Sequence, residues 1–461
     1  MNPIRANQVA PIIQGRIFSG EGESSLNGVS IDSRTVQAGQ AFFAIAGENF
    51  DGHDYAAAAI EKGASCIVVE REIDLPADCP VPVIQVDNCI TALARFAAWY
   101  RQQLAAKVIA ITGSVGKTTT RNILYQILSR FFKCRQAPKS FNNHIGVPLT
   151  LLSAEKEDEI LFLELGSNHP GEIPYLAQIA SPDIAVITHI THAHLEGFGT
   201  IENIIKEKSS IAQGLSAEGI LMINGDTPEL VDHVRTTYGV DMITVGTSRQ
   251  CDIVGTDLKT FGPHGSLVIE GRTVSVPLAG KANLLNVLFA WGVCREFIPL
   301  SDFIEAVEFL QPYERRLVPV SIGPLVVLDD CYNANPASMD NALCCLRSIA
   351  KESGRRSVFV AGCMAELGHE SVPLHEKLGR NATCQEVQVL LCAGPFSKQI
   401  VQGAQKTAKY PLESQAFENT DQLCDNLHKW VHPDDIILVK GSRSASLEKA
   451  VQRLRVLFGN Q

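Results

Sequence analysis

Residues 109–120 (IAITGSVGKTTT) constrain the fold of this chain more than any other stretch. Residues 109–111 have the apolar character of a buried strand, Gly113 and Gly116 favour a tight turn, and Lys117 opens a predicted helix. A glycine-rich turn that exposes backbone N–H groups at a helix N-terminus suits phosphate oxygens. In such a loop the lysine reaches the β- and γ-phosphates, and the following hydroxyl binds Mg²⁺. The order of strand, turn and helix therefore predicts an α/β domain that binds a nucleoside triphosphate.

This phosphate loop (residues 113–119) is one glycine short of the general pattern G-x-x-x-x-G-K-[ST], because Ile111 stands at the first glycine position. An accidental GK[ST] in an unrelated loop is the alternative interpretation. We favour the phosphate loop because the strand, the turn and the helix occur in the order that the chemistry needs. The residues predicted to surround the phosphates are Gly113, Ser114, Val115, Gly116, Lys117, Thr118 and Thr119.

Length and composition limit the class of protein. At 461 residues the chain is long enough for about three domains. Its net charge of −10 argues against a nucleic-acid partner held by a basic surface. We expect no membrane span and no signal peptide, since no run approaches about 20 apolar residues and the first residues lack a basic region before an apolar one. Thirteen cysteines without a C-x-x-C pair suit reduced thiols, so we expect a cytoplasmic enzyme.

The pattern of strands and helices divides the chain into three predicted parts. Residues 1–85 form a small α/β unit, and residues 86–311 alternate near-continuous apolar strands with helices. Such alternation predicts a mostly parallel sheet with helices on both faces. From residue 312 to residue 461 the alternation begins again, which indicates a second open α/β sheet.

Polar residues follow several predicted strands of the central part. The phosphate loop, Glu164, His194, Asn224 and Asp226 all come directly after such strands. Polar sites in parallel sheets lie beyond the C-terminal strand ends, so we expect a single active site there. A carboxylate at this place can hold Mg²⁺ through oxygen, whereas the alternative for Glu164 is a surface residue at a turn.

Two clusters of basic residues follow in the central part. The segment HITHAH supplies His189, His192 and His194, whose close spacing suggests zinc. We disfavour zinc because a Mg-nucleotide site already accounts for the neighbourhood. Lys206 and Lys208 have the character of exposed charges on a helix.

Two polar segments follow predicted strands in the last part of the chain. Asp329 and Asp330 lie in LDDCYNANPASM, where they can meet a ribose or a cation, or serve as plain turn residues. Lys440, Ser442 and Arg443 follow a strand at a predicted helix start. That position suits an anion, or equally a capped helix without a ligand.

Taken together, these segments resemble the Mur ligases, the ATP-dependent amide-forming enzymes of peptidoglycan synthesis. The resemblance covers nearly the whole chain. Its motifs are DSR and FDGHD within residues 30–54, TGSVGKTTT, SFNNHIGVPLTLL, ELGSNHPGEI, AHLEGFGT, DDCYNANPASM, MAELGHES and VKGSRS. The combination of YNANP and MAELG is similar to the family member that adds a D-alanyl-D-alanine dipeptide.

The resemblance implies a first domain (residues 1–85) that binds the UDP end of a substrate, a central ATPase domain (86–311) and a Rossmann-like third domain (312–461). It implies that ATP and Mg²⁺ are used to join D-alanyl-D-alanine to UDP-N-acetylmuramoyl-tripeptide through an acyl phosphate, in a cytoplasmic monomer. One alternative is a related ligase that adds a diamino acid or glutamate, against which YNANP and MAELG argue. Others are a P-loop NTPase that switches conformation and a catalytically silent nucleotide-binding protein.

The resemblance also implies roles for individual residues. Lys117 grips the phosphates, and Lys208 aligns with a lysine that the family carbamylates, so that it helps to hold a second Mg²⁺. The implied catalytic residues are Lys117, Lys208 and His194. The implied metal ligands are Thr118, Glu164, His194 and Lys208. Further nucleotide contacts are implied for Asn283, Arg316 and Asp330. The implied substrate residues are Ser33, Arg34, Asp51, Gly52, His53, Asn142, Asn143, Asn333, Asn335, Lys440 and Ser442.

Several positions depart from the pattern that is usual in the family. They are Val115, His144, Ser210, Ala282 and Cys363, where the family commonly has Asn or Thr, Glu, Glu, His and Asp, respectively. None of them removes the phosphate-loop lysine or the implied metal ligands Glu164 and His194. We therefore expect an active enzyme whose adenine contacts differ from those of its relatives.

Overall fold

Short apolar strands alternate with helices along the chain, and they assemble into separate sheets. The computed structural model describes residues 1–20, 22–74, 79–138, 140–191 and 195–459. These described residues form sheets of two, five, nine and six strands. Most neighbouring strands in the three larger sheets are parallel, which confirms the predicted α/β class.

The first part of the chain carries a sheet in the order β2-β7-β6-β5-β4, in which only the edge strand β2 runs antiparallel. The strands of this part are β1 (Ile4–Arg5), β2 (Arg16–Ser19), β3 (Ser25–Leu26), β4 (Gly28–Ser30), β5 (Gln40–Phe43), β6 (Cys66–Val69) and β7 (Val83–Gln85). Strands β1 and β3 pair with each other in the separate two-stranded sheet. Its helices are α1 (Ala6–Ile12), α2 (Ala56–Glu61) and α3 (Cys89–Arg101). Helix α3 begins at Cys89 because the Asn88 side chain accepts the Thr91 N–H at 2.8 Å, which satisfies a first-turn amide.

The central sheet has the order β16-β15-β14-β13-β12-β11-β8-β10-β9. Its strands are β8 (Lys107–Thr112), β9 (Cys134–Gln136), β10 (Ile160–Glu164), β11 (Ile184–Ile187), β12 (Ile220–Asn224), β13 (Met242–Gly246), β14 (Ile253–Phe261), β15 (His264–Ile269) and β16 (Arg272–Val276). Its helices are α4 (Lys117–Leu128), α5 (Gly146–Leu152), α6 (Glu172–Ala180), α7 (Leu195–Phe198), α8 (Ile201–Ser209), α9 (Pro228–Thr237), α10 (Lys281–Cys294) and α11 (Leu300–Val307).

Strands β14 to β16 run antiparallel at one edge, which the interpretation as alternating strands and helices did not include. In β15 the side chains alternate between buried and more exposed, and this two-residue period was a readable signal of a half-covered strand.

The third sheet has the order β17-β18-β22-β19-β20-β21, with β17 antiparallel to a parallel remainder. Its strands are β17 (Val318–Ile322), β18 (Leu325–Asp330), β19 (Ser357–Gly362), β20 (Val389–Ala393), β21 (Glu413–Phe417) and β22 (Ile436–Lys440). Its helices are α12 (Pro336–Ser353), α13 (Ser371–Cys384), α14 (Ser397–Gln405), α15 (Thr420–Asn426) and α16 (Glu448–Phe458). Among the described helices of the whole chain, none is long and apolar enough to cross a membrane.

The hydrophobic core is continuous from the first sheet to one face of the central sheet. A single cluster joins Val9 and Phe43 of the first part, Phe96 of α3, and Leu163 and Ile187 of the central strands. The opposite face of the central sheet packs against α4, α10 and α11 in a cluster of its own. The third sheet is covered on its two faces by separate clusters. The first and central parts are therefore joined through apolar packing, whereas the third part has its own core.

Candidate active site

The phosphate loop leaves β8 in a conformation that requires glycine. Gly113 has a φ of 138°, and a Cβ there would collide with Thr188 Oγ1. Gly116 has a φ of 96°, and a Cβ there would meet Asn286 Oδ1 at 2.7 Å. Ile111, at the place of the missing glycine, is fully buried and pairs with Glu164 in the sheet. The strand therefore continues through this position, and the turn that follows it is correspondingly short.

The loop is held from below by the end of β11. Ser114 N–H donates to the carbonyl oxygen of His189 at 2.8 Å, and Thr188 Oγ1 donates to the Val115 carbonyl at 2.7 Å. The contacts of Val115 with Thr188 and His189 are made by its backbone. They do not depend on its side chain, so valine can stand where the family commonly has a polar residue. Within the described residues no side chain caps the first turn of α4, so its amide groups face the cleft as anion donors.

Lys117 folds back over the loop that carries it. Its Nζ donates to the Gly113 carbonyl at 2.6 Å. Burial lowers the pKa of Lys117, and Arg316 adds to that effect while Glu164 opposes it. An ammonium so placed, beside a nearby carboxylate and the loop amides, lies where a bound phosphate would meet it.

Glu164 is the last residue of β10, and its carboxylate is buried rather than at a surface turn, since only 2% of the residue is exposed. Thr118 Oγ1 donates to one carboxylate oxygen at 2.8 Å, and Asn142 Nδ2 donates to the other at 2.9 Å. Burial raises the pKa of Glu164, but the positive charges of Lys117, Arg121 and Arg316 outweigh it and hold the pKa below its usual value. The alternative of a surface glutamate is wrong, and the site holds an ionised carboxylate.

Lys208 differs from its neighbour Lys206, although the sequence suggested exposed charges for both. Lys206 is exposed, whereas Lys208 on the buried face of α8 is only 1% exposed and donates to Ser167 Oγ at 2.7 Å. Burial, with repulsion from Lys117, lowers the pKa of Lys208 to about 7. The exposed interpretation is therefore wrong for Lys208, whose amine is partly neutral near neutral pH.

The third part of the chain brings its own charged residues to the cleft. Arg316 Nη2 donates to Thr118 Oγ1 at 3.1 Å. Asp330 and Lys440 form a buried ion pair at 2.7 Å, and Lys440 also donates to the Asn333 carbonyl at 2.9 Å. Burial raises the pKa of Asp330, although the Lys440 ammonium opposes the shift. Asp330 is thus neither a plain turn residue nor solvated.

The segment after Lys440 differs from the prediction of a helix start. Lys440 is the last residue of β22, a 3-10 turn follows at Arg443–Ala445, and α16 begins only at Glu448. Ser442 and Arg443 nevertheless line the cleft. The capped-helix alternative is therefore wrong at this place, because no α-helix begins there, and the anion site stays a prediction.

A cleft of about 1200 Å³ lies between the central and third sheets. Its lining includes the phosphate loop and Glu164 from one side and Arg316, Asp330 and Lys440 from the other. Other implied site residues that line it are Asn142, Asn143, Asn283, Asn333, Asn335 and Ser442. Asn335 caps α12, since its Oδ1 accepts the Ser338 N–H at 2.9 Å. Asn143 Oδ1 accepts the N–H of Gly146, the first residue of α5, also at 2.9 Å.

The remaining strand-end residues of the central part do not all converge. Asn224 donates to His189 Nδ1 at 2.9 Å, beneath the phosphate loop. Asp226 instead accepts the N–H groups of Thr247 and Ser248, and it does not line the cleft. His192 and His194 lie outside the described residues. Among the described residues, no group of three or more His, Cys, Asp or Glu side chains is arranged to hold a metal ion.

The residues implied for the UDP end lie in the first part and do not line this cleft. They are Ser33, Arg34, Asp51, Gly52 and His53. Asp51 accepts from His53 Nδ1 at 2.6 Å and from Arg71 at 2.9 Å, and the hydrogen bonds from Arg71 and His53 depress the pKa of Asp51 far below the usual range. His53 Nε2 accepts the Glu70 N–H at 2.9 Å, so the ring fixes two segments of the first sheet.

Two other departures from the family pattern, Ala282 and Cys363, have local partners. Ala282 N–H donates to Asn341 Oδ1 at 3.1 Å, across to the third part. Cys363 Sγ accepts the Phe396 N–H at 3.3 Å, and Gly394 packs against it. His144 is exposed and lines the cleft.

Sequence reasoning missed residues that support the site from other elements. Asn286 is 4% exposed inside the apolar helix α10, accepts from Thr120 Oγ1 at 3.3 Å and donates to Asn283 at 3.2 Å. An amide between apolar residues of a helical run was a signal that could have identified it. Tyr332 and Ser140, joined by a hydrogen bond of 2.7 Å, carried no such signal because their segments are far apart in sequence.

Three models of known families match consecutive parts of the chain. The Mur ligase family catalytic domain matches residues 25–101, the Mur ligase middle domain matches residues 111–294, and the Mur ligase glutamate ligase domain matches residues 315–443. Their order along the chain agrees with that of the three larger sheets.

Full-length relatives extend this match. The UDP-N-acetylmuramoyl-tripeptide–D-alanyl-D-alanine ligase of Bacillus subtilis is 32% identical over 451 residues, which cover 97% of each chain. A crystal structure of MurF from Acinetobacter baumannii is 29% identical, covers 99% of both chains and superposes with a TM-score of 0.89. MurF from Thermotoga maritima in complex with ADP is 26% identical, covers 94% of this chain and 98% of its own, and gives a TM-score of 0.82. The chain thus has the predicted three-domain architecture, and it belongs to the Mur ligase family.

Proposed function

We propose that this protein is an ATP-dependent ligase that joins D-alanyl-D-alanine to the peptide carboxylate of UDP-N-acetylmuramoyl-tripeptide through an acyl phosphate. One observation carries the proposal. A phosphate loop, a buried ionised carboxylate and basic groups of the third domain face one cleft, in a chain that matches relatives of that name over 97% of its length. A cleft between two domains can hold the nucleotide and both peptide substrates together.

The residues around Glu164 fit a hard divalent cation such as Mg²⁺. Thr118 Oγ1 donates to one carboxylate oxygen and Asn142 Nδ2 to the other, so hydroxyl and carboxylate oxygens lie side by side. Oxygen ligands of this kind are those that Mg²⁺ prefers. Thr118 and Glu164 would hold one ion, and His194 and Lys208 are proposed for a second. The bound ions would neutralise negative charge on the phosphates.

Lys117 and the first-turn amides of α4 bind and orient the terminal phosphates of ATP in this proposal. A carboxylate is a poor acyl donor, so the peptide carboxylate first accepts the γ-phosphoryl group and becomes an acyl phosphate. Lys117 and Arg316 stabilise the negative charge that shifts during transfer. Asn283 and Asp330, which line the same cleft, are proposed to contact the nucleoside.

Lys208 is proposed to act as a carbamate. Only a neutral amine reacts with CO₂, and a pKa of about 7 leaves a substantial neutral fraction at physiological pH. The neutral amine and CO₂ form an N–C bond and release one proton, which leaves a carbamate anion. Counted from the ammonium form of Lys208, two protons are released in all. Ser167 Oγ, at 2.7 Å from Nζ, supports the group at the edge of the cleft.

The third domain is proposed to hold D-alanyl-D-alanine near Asn333, Asn335, Lys440 and Ser442, and Asn142 and Asn143 are proposed to contact the acyl substrate. The free amine attacks the acyl carbon, and the tetrahedral intermediate expels phosphate. A closed cleft excludes water, which otherwise hydrolyses the acyl phosphate. The UDP end of the substrate is assigned to the first domain, at Ser33, Arg34, Asp51, Gly52 and His53.

We also assign the protein to the cytoplasm, as a monomer. All thirteen cysteines are free thiols, as expected for a reducing compartment. We also propose that the first domain ends at residue 85 and the central domain at residue 311.

A coupled phosphate-release assay tests the function. The enzyme is given ATP, Mg²⁺ and a UDP-N-acetylmuramoyl-tripeptide with lysine or with diaminopimelate at the third position, with and without D-alanyl-D-alanine. We expect phosphate release and amide product only when both peptide substrates are present. Fast ATP hydrolysis without either substrate would instead indicate an NTPase switch.

A further inference from the structure

We propose that Tyr332 is a positioning residue that docks the third domain onto the central domain on both sides of Glu164. The inference rests on the proposed function for its effect on ligation, but its effect on nucleotide binding is independent of it. The Tyr332 hydroxyl donates to Ser140 Oγ of the central domain at 2.7 Å. Its ring lies under the guanidinium of Arg316, whose carbon is 4.4 Å from the ring centroid.

Tyr332 and Arg316 form one rigid unit within the third domain. Tyr332 N–H donates to the Arg315 carbonyl at 3.3 Å, and Leu317 N–H donates to Asp330 Oδ1 at 3.2 Å. Arg315 and Leu317 have φ angles of 57° and 53°, a conformation that is costly for residues other than glycine. Arg316 therefore sits on a strained turn that is fixed by the residues beside Tyr332, and its direction follows the position of the ring.

This unit meets the central domain at two separate points, and both lie next to Glu164. Arg316 Nη2 reaches Thr118 Oγ1, which itself donates to Glu164. Ser140 lies in the loop that carries Asn142, whose side chain donates to the other oxygen of Glu164. The two contacts define a clasp (Ser140, Tyr332, Arg316, Thr118) that aligns the third domain with the proposed cation site.

Through the clasp, the position of the third domain affects the phosphate loop, because Arg316 contacts Thr118 of that loop. A rotation of that domain would break the Ser140 and Thr118 contacts together, because both depend on Tyr332. A part-buried neutral hydrogen bond contributes about a fivefold factor to an equilibrium. The ring adds a cation–π contact that preorganises the guanidinium.

A double-mutant cycle on the full-length protein tests the clasp. MgADP affinity is measured by calorimetry for the wild type, Tyr332→Phe, Ser140→Ala and the double variant. We expect each single change to weaken MgADP by up to about fivefold, and the double variant to be no weaker than either, because one bond is lost in all three. Independent losses that multiply in the double variant, or affinity equal to wild type in the single variants, would overturn the proposal.

Further variants separate positioning from stability. Tyr332→Leu also removes the ring beneath Arg316, so its loss should exceed that of Tyr332→Phe; equal losses would count against the role of the ring. Tyr410→Phe is the matched control, since it removes a tyrosine hydroxyl bond of 2.8 Å to the Val387 carbonyl, elsewhere in the same domain. Its MgADP affinity should equal that of wild type.

Tyr332→Phe should also hydrolyse more ATP per amide formed than wild type does. If wild-type protein forms no amide, the ligase proposal alone is refuted. The double-mutant cycle on MgADP affinity would still test the clasp in that case.

Discussion

The two junctions between domains differ in the kind of contact that forms them. The first and central domains share one apolar cluster, in which α3 packs Phe96 against residues of both sheets. The central and third domains meet across a cleft whose contacts are mainly polar, such as Arg316 to Thr118 and Tyr332 to Ser140. Apolar contacts also cross this second junction, for example at Ala279, which belongs to the third domain's cluster.

Because of this difference, we expect the first junction to be rigid and the second to be able to open and close. A shared apolar core fixes the relative position of two domains, because separating them would expose buried surface. Polar contacts across a cleft cost little to exchange for water, so such a junction can open to admit substrates. We therefore expect changes at the first junction to alter stability, and changes at the second to alter activity.

The largest expected effect lies in the cleft. Lys117→Ala removes the phosphate-loop ammonium and should reduce the kcat of ligation on the order of a thousandfold, as for other preorganised charge-stabilising donors. The melting temperature should stay near that of wild type, because the side chain contributes no core packing. Exposed Lys156 offers a matched control, and Lys156→Ala should behave as wild type in a phosphate-release assay. Near-normal turnover by Lys117→Ala would refute its role.

The second effect concerns the apolar junction. Phe96 is fully buried, and Phe96→Ala should lower the free energy of unfolding by about 3–5 kcal/mol. In calorimetry the first and central domains should unfold together, and this change should shift their common transition. Phe359→Ala, at a fully buried site of the third domain, should shift a separate transition. Two independent transitions for the first and central domains would contradict the shared core.

Lys208→Ala should reduce ligation by about a hundredfold, a loss typical of residues that support a metal site. A short carboxylic acid should partly restore the activity if a carbamate is the working group. Exposed Lys206 is the control, and Lys206→Ala should retain ligation. Full activity of Lys208→Ala without added acid would argue against carbamylation.

The smallest effect is a dependence of stability on pH in the third domain, beside the cleft. Burial lowers the pKa of His375, whose Nε2 accepts the Met364 N–H at 2.9 Å while Nδ1 donates to the Ser371 carbonyl. Below about pH 6.5 the unfolded chain therefore takes up a proton that the folded chain refuses, and stability falls by at most about 1.4 kcal/mol per pH unit.

His375→Gln removes this titration. Chemical denaturation between pH 5 and pH 8 should show a weaker loss of stability on acidification for the variant than for wild type. Above about pH 7 histidine is neutral in both the folded and the unfolded state, so the stabilities of the two proteins should there change with pH in the same way. Parallel pH profiles would contradict the assignment.

Much of the fold and part of the site were predictable from local pattern. The phosphate loop, the strand that ends at Glu164 and the parallel sheets follow from apolar runs and turn residues close together in sequence. The antiparallel edge strands β14 to β16 were missed because the helix-and-strand alternation was extended past them. The contrast between exposed Lys206 and buried Lys208 also escaped, since burial depends on which helix face meets the sheet.

The sequence by itself determined the chemistry that the chain carries: a phosphate loop with Lys117, a carboxylate after β10, and motifs of a ligase family in their order. The tertiary structure alone decided which groups meet. It buried Lys208 against Ser167, placed Arg316 on Thr118 and joined Tyr332 to Ser140. The physical reason is that local sequence sets backbone conformation, whereas these contacts join segments far apart in the chain and exist only once the separate cores have packed.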